Sequence, residues 1–151
     1  MKVDGKAIAS EIFTDLHRRV DKLKATGITP QLVVILVGEN PASVSYVQRK
    51  EKKAAKIGAL TTVIRLKSSV TTDTLLKHIA QLNKDTTVHG IIVQRPLPPH
   101  IDNEAINQAV DPHKDIDAFN ASTPFQMPLA EAVLEILRHI QVHEGKPIFI
   151  S

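Results

Sequence analysis

Tyr46 and Lys50 stand four residues apart in Ser43-Val44-Ser45-Tyr46-Val47-Gln48-Arg49-Lys50, directly after an apolar run that leads into Gly38-Glu39-Asn40-Pro41. Residues at that spacing project from the same face of a helix. The pattern sets a phenol beside an ammonium near the end of a strand, where open α/β sheets hold their ligands. A lysine partly desolvated in such a crevice loses proton affinity and can polarise a carbonyl-like centre or move a proton. The plainer alternative makes Lys50 one of several lysines on a solvated helix face. Tyr46, the only tyrosine in the sequence, could equally stack on a flat ligand or simply pack.

Gln94 follows Val93 at the carboxyl end of another strand pattern. A glutamine donates and accepts at once, which suits holding a lysine in one orientation. Pro96 and Pro98 stiffen the loop after it. The alternative is an ordinary polar residue at a strand-to-loop junction. Asp115 and Asp117 point to opposite sides if their loop is extended. One carboxylate could read two adjacent donors of an amino-heterocycle; both could instead be solvated loop acids. His139 and His143 share a helical face, but no third ligand stands near, so no metal is expected and a helix C-terminal role fits better. No Gly-x-Gly-x-x-Gly fingerprint occurs.

The elements that must position these groups alternate. Ile8, Ile12, Leu16, Val20 and Leu23 repeat at helical spacing over 4–24, and Gly27 stops that helix. Residues 32–37 are continuously apolar and β-branched, as in a parallel strand covered on both faces. Asn40 caps a helix with Pro41 at its first position, running to about 56 before Gly58. Strand 61–66, helix 72–82, strand 88–93, helix 103–110, a polar loop over 111–120 and helix 129–140 follow, and 145–151 begins another strand. This order predicts a three-layer α/β/α domain with a mostly parallel sheet.

With 151 residues, 42% hydrophobic and 23% charged, the chain is long enough for one ordinary core. No apolar run spans a membrane, and Lys2, Asp4 and Lys6 do not open a signal peptide, so no membrane partner is expected. The absence of cysteine removes thiol chemistry and is compatible with the cytoplasm. A net charge of +3 and a pI of about 9.2 raise nucleic acid as a partner. At 3% aromatic content there is little stacking surface, so no nucleic-acid partner is expected. A small anionic ligand would use the same charge.

Together, these segments resemble the bifunctional methylenetetrahydrofolate dehydrogenase/cyclohydrolase family. The residues that carry the resemblance are Asp4-Gly5-Lys6-Ala7-Ile8-Ala9, Val37-Gly38-Glu39-Asn40-Pro41-Ala42-Ser43 with Tyr46, Val47 and Lys50, Gly90 through Pro98, and Pro112-His113-Lys114-Asp115-Ile116-Asp117. They occur in family order over 1–117. The resemblance implies a folate-binding catalytic domain over 1–144 and the start of a truncated NADP-binding domain over 145–151. It implies that Tyr46 stacks on the aminobenzoyl ring of a tetrahydrofolate derivative and that Lys50 is the catalytic lysine of methenyl hydrolysis. Gln94 then holds Lys50, Asp117 grips the pterin ring, and Ser43 and Pro96 complete the substrate site.

Three departures qualify these expectations. Arg95 replaces the family's leucine, Ala118 replaces the glycine after the pterin-binding aspartate, and the segment before Thr123-Pro124 is short against the family pattern. The sequence also stops before a glycine-rich dinucleotide turn. The expectation is therefore no dehydrogenase activity from this chain alone, weak cyclohydrolase activity, and a monomer although the family is dimeric. The alternative is a non-catalytic folate-binding or interaction module on the same scaffold.

Overall fold

A computed structural model describes residues 3–139. Helix α1 spans Gly5–Ala25, capped by the Asp4 carboxylate, which accepts from the amides of Lys6 and Ala7. After Gly27, at φ 82°, the chain enters strand β1, Gln31–Val37. Helix α2, Pro41–Lys56, begins where the Asn40 side chain accepts from the amides of Ala42 and Ser43. Strand β2 is Leu60–Leu66, and helix α3, Thr72–Lys84, is capped by Thr71. Strand β3 is Gly90–Val93, helix α4 is Asn103–Ala109, and helix α5 is Pro128–His139. The expected strand over 145–151 lies outside the described residues.

The three strands pair in parallel in the order β2-β1-β3. The central strand alternates its side chains between two cores. Val33, Ile35 and Val37 pack with Leu75 and Ile79 of α3 and Ile106 of α4. Val34 and Leu36 pack with Val47 of α2 and Ile92 of β3. Helices thus cover both faces of the sheet, as the three-layer expectation requires. Burying a side chain such as Ile35 stabilises the fold by about 1.5–3 kcal/mol, and the two-sided burial explains why β1 reads as an unbroken apolar run.

Strand β3 is shorter than the sequence pattern. Val88 is buried, yet its amide turns back to the Asp85 carbonyl at 3.2 Å, so ladder pairing begins only at Gly90. Helix α5 differs from its neighbours in another way. It is strongly amphipathic by sequence, but none of its residues is buried, and Leu129, Val133, Leu134 and Ile136 are exposed. Among the described residues, no helix is long and apolar enough to cross a membrane.

Candidate active site at the carboxyl end of the sheet

Strands β1 and β3 end side by side, and the Gln94 amide continues their ladder by donating to Ile35 O at 2.9 Å. This registers the loop after β3 against the start of α2. Ser43, in the first turn of α2, is buried and donates through Oγ to the Arg95 carbonyl at 3.1 Å. Gln94 Nε2 donates to that same carbonyl at 2.8 Å. The Arg95–Pro96 peptide is cis, and Pro96 is exposed. Gln94 Oε1 is buried without a hydrogen-bond partner. A buried acceptor of this kind costs about 1–3 kcal/mol while unpaired, and an amide oxygen is suited to accept from a lysine or an N–H donor.

One and two turns beyond Ser43, α2 presents the opening pair. Tyr46 is 57% exposed, with the Arg49 guanidinium 5.8 Å from its ring centre. Lys50 is partly buried, and its Nζ lies 3.5 Å from Asp117 Oδ2. That separation is an ion pair too long for a strong hydrogen bond. Lys50 therefore meets Asp117, whereas the sequence reading expected it to be held by Gln94, whose amide nitrogen goes to Arg95 instead. The structure brings Ser43, Gln94 and the Lys50–Asp117 pair to one end of the sheet, with Tyr46 on the accessible side.

The loop that delivers Asp117 is anchored at several points. Ile91 donates its amide to Lys114 O at 2.8 Å, so the loop runs as a short parallel extension beside β3. Ile116 packs so closely over Gly90 that a Cβ there would meet its Cδ1 and Cγ2 at 3.2 Å. Lys114 Nζ donates to the carbonyls of Leu82, Asn83 and Asp85 at 2.7–3.0 Å, satisfying the end of α3. The two acids of the loop divide their work. Asp115 is buried and accepts the Asn120 amide at 2.6 Å, while Asp117 faces Lys50. Ala118 adopts φ 57°. This left-handed conformation costs a non-glycine residue about 1–2 kcal/mol. Thr123 Oγ1 closes the shortened segment, 2.9 Å from Pro112 O and 3.1 Å from Asp115 O.

Two contributors were not legible as part of the site. Arg95 was readable only as a departure from a pattern, yet its guanidinium donates to the side chains of Asn103 and Asn107 on α4. Lys114 caps the end of α3 from 29 to 32 residues further along the chain, a pairing with no local sequence signal. A groove of about 900 Å³ between α1 and α5 holds none of these groups. The polar side chains singled out from the sequence converge at the strand ends instead.

The fold is an α/β domain whose strand ends gather a lysine–carboxylate pair, an amide oxygen without a partner and an exposed aromatic ring, in the region where open α/β sheets hold their ligands. Residues 3–117 match the family described as tetrahydrofolate dehydrogenase/cyclohydrolase, catalytic domain, and the chain belongs to that family. It is 42% identical over 158 aligned residues to the bifunctional protein FolD of Macrococcus caseolyticus, covering 98% of this chain and 56% of that protein. The crystal structure of the bifunctional FolD enzyme from Campylobacter jejuni superposes with a TM-score of 0.87 at 36% identity, over 91% of this chain and 52% of that one. The Trypanosoma brucei methylenetetrahydrofolate dehydrogenase-cyclohydrolase, solved with NADP and an inhibitor, gives 0.85 at 32% identity, over 94% and 52%. The chain thus spans about half the length of the relatives it matches.

Proposed function

We propose that this chain binds a tetrahydrofolate derivative at the carboxyl end of its sheet and serves methenyltetrahydrofolate hydrolysis, with residues 1–144 as the folate-binding catalytic domain. The observation that carries the reading is the Lys50–Asp117 pair, at the same end of the sheet as Gln94, whose buried Oε1 has no partner. In this reading Asp117 accepts hydrogen bonds from adjacent N–H donors of the pterin ring. Losing that carboxylate frees the Lys50 ammonium, and Gln94 Oε1 is the acceptor left to hold it. Lys50 then stands where it can assist water in attacking the methenyl carbon. Tyr46 offers its exposed ring to the aminobenzoyl group, and Ser43 and Pro96 shape the loop that carries Gln94.

The relatives' dehydrogenase step calls for NADP, bound in the proposed domain that opens at 145–151. The four helices with capped starts do not offer a pyrophosphate site to a dinucleotide. The first amides of α1, α2, α3 and α4 are already taken by Asp4, Asn40, Thr71 and Asp102, which leaves no free helix start among them for a pyrophosphate. We therefore route no hydride transfer through these residues.

The test is hydrolysis of 5,10-methenyltetrahydrofolate by the native chain beside Lys50→Ala. Loss of turnover with retained folate binding supports the proposal. Equal binding by both proteins with hydrolysis by neither supports a non-catalytic folate-binding module instead.

A further inference from the structure

Arg95 sends its backbone and its side chain to different parts of the site. Its carbonyl accepts from Ser43 Oγ and Gln94 Nε2. Its guanidinium is half-buried and forks onto Asn103 and Asn107, which lie four apart on one face of α4. The other side of the fork lies 5.2 Å from the centre of the Phe119 ring, two residues after Asp117. Burial lowers the proton affinity of Arg95, and attraction to Asp115 and Asp117 opposes that shift. The group remains a fixed cation. Arg95 lines one small cavity with Asp115, Asp117 and Phe119, so Asp117 lies near the clamped charge of Arg95 as well as in an ion pair with the mobile one of Lys50.

A purely structural strut between β3 and α4 would use the fork onto Asn103 and Asn107 but would not need the contact with Phe119. We propose that Arg95 is a positioning residue for substrate recognition. By stacking on Phe119 and attracting Asp117, it holds the Asp117 carboxylate in place when Lys50 lets go of it. This assignment rests on the folate site proposed above and deepens it.

The experiment is a double-mutant cycle read by calorimetric binding of 5-formyltetrahydrofolate to the full chain. Arg95→Leu weakens binding by about tenfold, the scale of one hydrogen bond to a charged group. In an Asp117→Asn background the same change costs less than about twofold, because the coupled partner has gone. Arg95→Lys recovers part of the loss, keeping the charge without the fork. Hydrogen exchange at the Asn120 amide quickens in Arg95→Leu even without folate. An equal penalty in both backgrounds, or none in either, overturns the assignment, and Arg95→Lys serves the cycle if the leucine variant does not fold. If the native chain binds no folate, the site reading fails and this assignment falls with it.

Discussion

At the carboxyl end of the sheet, Ser43 and Lys50 reach partners 52 and 67 residues away in sequence. Along α5, Arg138 pairs with Glu131 and Glu135, only seven and three residues away. The sheet end buries or half-buries its polar groups, whereas α5 leaves Leu129 and Val133 open. Long-range polar contacts form only after the surrounding chain is ordered, against its conformational entropy. Local helix pairs on an exposed surface need no such ordering and contribute little. Amphipathicity alone therefore did not mark the site. The convergence of distant polar groups did.

That contrast can be broken by measurement. The largest loss of stability is expected at Asp115. Asp115→Ala removes the acceptor of the Asn120 amide in a part-buried turn and should cost about 1–3 kcal/mol, read as a shift in the urea midpoint. Ser43→Ala should cost less, about 0.5–1.5 kcal/mol, because Gln94 Nε2 still serves the Arg95 carbonyl. Val133→Ser on α5 should stay within about 0.5 kcal/mol, since that side chain is 43% exposed. A Val133→Ser penalty as large as that of Asp115→Ala would erase the distinction between the two regions.

Local signals carried most of the fold. Asn40-Pro41 predicts a helix start because an amide side chain and a proline suit the unpaired first amides, and α2 begins there. Gly27 and Gly58 mark turns that the structure places at φ 82° and 79°. Val88 misled because apolar burial and ladder pairing are different properties; its side chain joins the core while its amide closes a turn. Leu129 to Ile136 follow a helical period, but periodicity does not say whether a partner covers the face.

The site was legible as residue types and only partly as contacts. Helix spacing places Ser43, Tyr46 and Lys50 toward one side, but nothing in a spacing states which loop will meet that side. Asp117 reaches Lys50 because Ile91 registers the Lys114 loop and Lys114 grips the end of α3. Arg95 finds Asn103, Asn107 and Phe119 only once α4 has packed on the sheet. Such tertiary placements have no local sequence signature.

The central claim is that Lys50 does chemistry and is not merely one half of a surface ion pair. Hydrolysis of 5,10-methenyltetrahydrofolate by the native chain and by Lys50→Ala, corrected for the spontaneous reaction, tests it most directly. The expected result is a fall of about 100-fold or more for Lys50→Ala, the scale of losing a positioned proton-transfer group, with folate affinity changed far less. Equal hydrolysis rates above background in the two proteins would contradict the account.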